Sequence, residues 1–182
     1  MTEQLVNSTH VKTCDKILIG LGANLPSTVG GPEETLQSAL LEMTAIGIKL
    51  TCISPFYRSQ PVPVSDQNWF VNGVAEIQTA ISATALMQVL HDLENKFGRR
   101  RSVPNAARVL DLDLLAYGRL VTPEADPLQV PHPRLQDRAF VLKPLADIAP
   151  TWQHPVSGLT ATDMLAALPP GQILEKMPDQ AT

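Results

Sequence analysis

The sequence predicts an α+β fold: a ferredoxin-like antiparallel sheet with helices packed on it, three-layer α/β/α overall. Three observations carry that expectation. Strand-like and helix-like segments follow in the order strand, helix, strand, strand, helix, strand, the signature of two split β-α-β units folded into one sheet. Both helical segments repeat apolar residues at helical spacing, so each has one face to bury against the sheet. Further helical material follows the fourth strand and can cover more of the sheet.

Taken in order, residues 16–21 form an apolar run with β-branched members that ends in Gly22-Ala23-Asn24, a buried strand entering a turn. Gly30-Gly31-Pro32 then leads into Glu33-Glu34, with Leu36, Ala39, Leu40 and Met43 recurring behind them. This predicts a helix opened by proline and early acids and closed at Gly47. Residues 48–57 and 69–79 are rich in strand formers, and Pro61-Val62-Pro63 makes the connection between them a stiff loop. Ser82 suits the N-cap of a helix that carries Leu86, Val89, Leu90 and Leu93 on one face and ends near Gly98. A basic loop follows, then a fourth strand over residues 109–117, the proline-punctuated residues 130–133, and a helix over 135–148. The C-terminal part shows one clear element, a short helix over 162–168 stopped by Pro169-Pro170. Residues 1–14 are expected to be a flexible extension, residues 15–182 a single domain, and its last ~12 residues loose.

Bulk properties narrow the function. A chain of 182 residues can bury about 70% of its unfolded surface in one core. Its 44% hydrophobic and 18% charged residues, with a mean hydropathy of +0.02, are those of an ordinary globular protein. A net charge of −4 argues against broad binding to nucleic acid, which needs basic surface to displace counterions from phosphates. Cys14 and Cys52 have neither metal-ligand spacing nor the density of a disulfide framework, which suits a reducing, cytoplasmic setting. No segment has the length and apolar character of a signal peptide or a membrane helix. The expected partners are therefore small molecules, with no nucleic acid, no membrane and no obligate protein partner evident.

The chemistry concentrates around Leu110-Asp111-Leu112-Asp113-Leu114. Strand alternation sends the leucines to one face and both carboxylates to the other, with Cα atoms roughly 6.5 Å apart at about 3.3 Å per residue. Polar residues also alternate this way on a solvated sheet face, so the pair alone decides nothing. Gly98-Arg99-Arg100-Arg101 and Arg108 set fixed cations beside these anions. The combination suits a polyphosphate, whose oxygens are bridged by magnesium on one or two carboxylates and forked by guanidinium groups. A basic run between a helix and an acidic strand equally reads as a solvated loop, or as a closing lid. No Gly-x-x-x-x-Gly-Lys-Ser/Thr phosphate loop is present. His132 stands between two prolines, and Arg138 follows it. Phe70, Asn72 and Phe140 read as core and turn residues unless a flat aromatic ligand lies between two phenyl faces.

Five segments occur together in sequence order: Gly20-Leu21-Gly22-Ala23-Asn24-Leu25, Ser54-Pro55-Phe56-Tyr57-Arg58-Ser59, Phe70-Val71-Asn72, Arg108 through Leu115, and Val130-Pro131-His132-Pro133-Arg134 with Arg138-Ala139-Phe140-Val141. Over residues 16–150 the chain closely resembles the 6-hydroxymethyl-7,8-dihydropterin pyrophosphokinases of folate biosynthesis. The resemblance implies transfer of the terminal diphosphate of ATP to the hydroxymethyl group of a reduced pterin, with release of AMP and two magnesium ions. It implies Asp111 and Asp113 as metal ligands, and Arg99, Arg101 and Arg108 as the catalytic arginines that reach the phosphates. Leu114, His132 and Arg138 join those arginines on the ATP side. Ser59, Gln60, Val62, Phe70, Asn72, Asp111 and Phe140 line the pterin pocket. The chain departs from some members in Pro104-Asn105-Ala106-Ala107, one residue shorter and without their loop arginine and tryptophan, and in Pro133, where they carry tyrosine. A ferredoxin-like binding module without turnover, motivated by that altered loop, is the alternative from another class; a nucleic-acid domain built on the basic loop is a third.

Overall fold

A computed structural model describes residues 15–99 and 106–178. β1 (Ile17–Ala23) leads to α1 (Pro32–Ala45), then to β2 (Lys49–Ile53), β3 (Tyr57–Ser59) and β4 (Phe70–Gln78). α2 (Ala83–Lys96), β5 (Asp111–Tyr117), α3 (Ala139–Ile148), α4 (Ala161–Ala166) and β6 (Leu174–Lys176) follow. The sheet runs β5-β1-β4-β3-β6, with β2 also paired to β4, and every pairing is antiparallel. This is the expected ferredoxin-like order with its second strand split in two. Pro55 has no N–H to give a ladder and falls in the break. β2 accordingly pairs with the C-terminal half of β4, and β3 with its N-terminal half.

Alternation along the strands makes two cores. Ile19, Leu21, Val71, Ala75, Leu112 and Leu114 face α1 and α2, whose Leu36, Ala39, Leu40, Met43, Leu86 and Leu90 fill the space between. Leu18, Val74 and Leu115 face the opposite way, against Val141, Leu142, Leu145, Trp152 and Met164 of the α3 and α4 layer. The three-layer α/β/α arrangement follows. A register shift between Leu18 and Ile19 places one extra residue in β5, and Leu115 and Ala116 both join the second core.

The helix ends obey local rules. α1 starts at Pro32 with Glu33 and Glu34 in its first turn, and Gly47 takes φ +89° just after it. At α2 the Ser82 hydroxyl accepts a hydrogen bond from the Ala85 N–H at 3.3 Å. Two differences from the sequence reading bear on the site. The helix expected over 135–148 is a single 3-10 turn, Leu135–Asp137, separated from α3 by Arg138 in extended conformation (φ −117°, ψ 110°). The stretch after residue 170, expected to be loose, contributes β6, whose Leu174 pairs with Ser59 and Lys176 with Tyr57.

Candidate active site

On the second face of the sheet, α3 covers only one end. At the other end the strands present small or polar groups: Gly20 and Gly22 from β1, Asn72 and Phe70 from β4, Ser59 from β3, Asp111 and Asp113 from β5. Register brings Asp113 opposite Gly20 and Asp111 opposite Gly22, which in turn faces Asn72. A Cβ on Gly22 would stand 3.4 Å from Asn72 Oδ1 and 3.7 Å from Asp111 Cβ, filling the floor between them. The result is a cleft of about 710 Å³, its open mouth included, floored by the sheet and walled by residues 59–63 on one side and by Arg138, Phe140 and Val141 on the other.

Its acidic end is heavily compensated. Asp111 Oδ1 forms an ion pair with Arg99 Nη1 at 2.8 Å, and its Oδ2 accepts from Arg108 Nη1 at 2.6 Å. Arg99 also bridges to Glu94, a carboxylate 2% exposed on the core-facing stripe of α2. Glu94 accepts the Leu112 N–H at 2.8 Å, taking a donor on the outer edge of β5. Burial outweighs those partners and pushes the Glu94 pKa up to about 7. Asp113 is held more loosely, with Arg138 Nη1 at 3.7 Å and His132 Nε2 at 3.9 Å. Burial raises its pKa and the neighbouring Asp111 charge raises it further, against the pull of His132, Arg138 and Arg108. Burial lowers the pKa of His132 despite Asp113 beside it. The Arg134 N–H donates to His132 Nδ1 at 3.1 Å, which leaves Nε2 to carry the ring hydrogen toward Asp113.

The other end of the cleft is apolar with polar points. Asn72 Nδ2 donates to Ser59 Oγ at 2.9 Å, joining β4 to β3. Phe70 stands two residues before Asn72 on the same face of β4, and Phe140 opens α3 with the Arg138 guanidinium 5.4 Å from its ring centroid.

Of the residues the sequence singled out, Ser59, Gln60, Val62, Phe70, Asn72, Arg108, Asp111, Asp113, Arg138 and Phe140 line this one cleft. Arg99 joins through Asp111. His132 reaches Asp113 from a neighbouring cleft that it lines with Gln129 and Gln136. The Leu114 side chain is 1% exposed in the α1–α2 core, so only its main chain is available to a nucleotide. Arg101 lies outside the described residues. Three organising residues escaped the sequence reading. One is Asn24, 1% exposed, whose Oδ1 accepts the Arg108 N–H at 2.8 Å while its Nδ2 donates to Asn68 O at 3.1 Å. Another is Glu94, signalled by a carboxylate four residues after Leu90 on an apolar stripe. Gln172 is the third.

Comparison with known proteins identifies the family. The family described as 7,8-dihydro-6-hydroxymethylpterin-pyrophosphokinase (HPPK) matches residues 18–150. A 2-amino-4-hydroxy-6-hydroxymethyldihydropteridine pyrophosphokinase of Pseudomonas aeruginosa is 38% identical over 155 residues, 85% of this chain and 92% of that protein. The protein of the same name from Synechocystis is 37% identical over 84% of this chain and 75% of its own length. The folic acid synthesis protein fol1 of Pneumocystis carinii is 36% identical over 80% of this chain, which spans only 19% of that longer protein. In fold, the Plasmodium falciparum HPPK-DHPS crystal structure with pteroate superposes with a TM-score of 0.63 at 12% identity, covering 83% of this chain and 42% of that one. With the family matched across the first core, most of the second and the whole cleft floor, and with relatives identical at more than a third of the aligned residues, the chain belongs to the HPPK family and is a pyrophosphokinase of folate biosynthesis.

Proposed function

We propose that this cleft transfers the diphosphate of ATP to the hydroxymethyl group of 6-hydroxymethyl-7,8-dihydropterin and releases AMP, with Asp111 and Asp113 as the metal ligands. The observation that carries the reading is a single cleft with carboxylates and guanidinium groups at one end and Ser59, Phe70, Asn72 and Phe140 at the other. It has room for a flat heterocycle beside a polyphosphate. The donor set fits magnesium. Mg²⁺ prefers one or two carboxylates completed by substrate phosphates and water to an all-protein cage, and the described residues contain no cluster of three or more His, Cys, Asp or Glu. When bound, two such ions would neutralise charge on the phosphate oxygens.

The chain's own part is alignment. Phosphoryl-type transfer needs no protein nucleophile. The pterin hydroxyl oxygen bonds to the β-phosphorus as the bond from that phosphorus to the α-phosphate oxygen breaks, and the hydroxyl proton is lost. Phe70 and Phe140 would hold the ring and Asn72 its polar edge. The Asn72 Oδ1 accepts no hydrogen bond among the described residues and is free for a ring N–H. Arg99, Arg108 and Arg138, with Arg101 from the basic loop and His132, would fork onto the phosphates and stabilise charge in a site partly closed to water. We put the enzyme in the cytoplasm, where ATP is the ordinary donor and an unpaired thiol such as Cys52 stays reduced.

The test is AMP formation by the full chain with ATP, magnesium and the reduced pterin. AMP and pterin diphosphate should appear in equal amounts, and absence of AMP above background would overturn the reading. Asp113→Asn should remove most turnover with an unchanged far-ultraviolet spectrum; an active variant would overturn the metal assignment.

A further inference from the structure

The family match ends at residue 150, yet residues 171–174 line an adjoining pocket that shares the 59–63 wall and Phe140 with the cleft. β6 pairs with β3, whose Ser59 opens the 59–63 wall. From the residue two places before Leu174, the Gln172 side chain reaches the opposite wall. Its Oε1 accepts the Ala139 N–H at 2.8 Å and its Nε2 donates to Asp137 O at 2.9 Å. One amide thus grips the main chain on both sides of Arg138, as the backbone of a neighbouring strand would.

Gripping that position has a consequence. Arg138 in extended conformation is all that separates the 3-10 turn Leu135–Asp137 from α3, and no side chain within that segment caps the helix. The first N–H groups of a helix need an outside partner, and Gln172 supplies one from 33 residues away. Were Arg138 to turn helical, the turn and α3 would run together. Arg138 would then leave Asp113, 3.7 Å away, and Phe140 would be re-aimed.

We propose that Gln172 is a positioning residue for the pterin pocket, and that residues 171–176 form a strap holding its two walls in register. This rests on the assignment of the cleft to the pterin. The experiment compares the full chain with Gln172→Met, of similar length but without the amide, and Gln172→Glu, which keeps the acceptor and loses the donor at neutral pH. Equilibrium binding of the reduced pterin and, separately, of a non-hydrolysable ATP analogue is followed by fluorescence, alongside circular dichroism. Gln172→Met should bind the pterin roughly tenfold more weakly, as loss of two neutral hydrogen bonds allows. Gln172→Glu should fall between it and the unchanged chain, and the ATP analogue should lose distinctly less, since several other cations hold it. Unchanged pterin affinity in Gln172→Met, equal losses for both ligands, or unfolding of both variants would overturn the proposal. Failure of the unchanged chain to bind the pterin would instead overturn the assignment of the cleft.

Discussion

Replacing Glu94 with Gln should make the stability of the folded protein less sensitive to a rise in pH from 5 to 8. The Glu94 carboxyl is 2% exposed, and its pKa rises from 4.5 to about 7 because burial penalises its charged form more than Arg99 and the Leu112 N–H favour it. The unfolded chain therefore releases this proton near pH 4.5 and the folded chain keeps it until about 7. Stability from this group is fully present below pH 4.5, falls as pH rises between the two values, and is constant above them. The interval, at 1.36 kcal/mol per pH unit, corresponds to about 3 kcal/mol. Glutamine keeps an acceptor for Leu112 and never ionises. Any loss at Arg99 shifts its stability equally at every pH. Urea unfolding at pH 5 and pH 8, without nucleotide or magnesium, should show the variant gaining about 2.5 kcal/mol on the parent between the two, since the unfolded carboxyl is already largely ionised at pH 5. A gap that is constant within about 1 kcal/mol would show that Arg99 and Leu112 compensate the buried charge and would refute the reasoning.

Asn24→Ala should cost roughly 1–3 kcal/mol in the same unfolding assay, because it removes a buried amide and its bonds to the half-buried Arg108 N–H and the Asn68 C=O; a cost below about 0.5 kcal/mol would mean that water replaces the amide. Turnover should fall further than stability predicts, since Asn24 fixes the main chain from which Arg108 reaches Asp111. Phe140→Ala should weaken pterin binding about tenfold through lost ring contact and leave the ATP analogue within about threefold. Equal weakening of both would remove the ring from the pterin wall.

The fold was legible where side-chain period and chain punctuation agree. α1, β4, α2 and β5 fall within residues expected from apolar spacing, Pro32, Ser82 and the glycines at 47 and 98, and β1 runs two residues past its expected end into Gly22 and Ala23. The departures arise where a partner distant in sequence decides the conformation. The single strand expected over 48–57 is β2 with only the first residue of β3, and the separate pairings of β2 and β3 with the two halves of β4 divide them. Residues 174–176 carry no strand signal of their own: Leu174 is followed by Glu175 and Lys176, both exposed, and the strand exists because β3 offers an edge. The helix expected from residue 135 is interrupted for the same reason, because the amide that holds Arg138 extended comes from Gln172.

The site divides along the same line. Of the residues that would meet substrate, the two aspartates at period two with arginines beside them stand out by type and spacing, whereas His132, Phe70, Asn72 and Phe140 stand out only through ordered motifs that resemble a family. Those that position them act by side-chain bonds to distant main chain. Glu94 reaches Leu112 across 18 residues, Gln172 reaches Ala139 across 33, and Asn24 reaches Arg108 across 84. Such a bond needs only one donor or acceptor of the right length at its near end and nothing distinctive at its far end, since every non-proline residue offers the same N–H and C=O. No spacing rule marks it in the chain. The aspartates are therefore readable without the fold, but the order imposed on Arg99, Arg108 and Arg138 around them is not. That order separates a solvated acidic strand from a site able to align a polyphosphate.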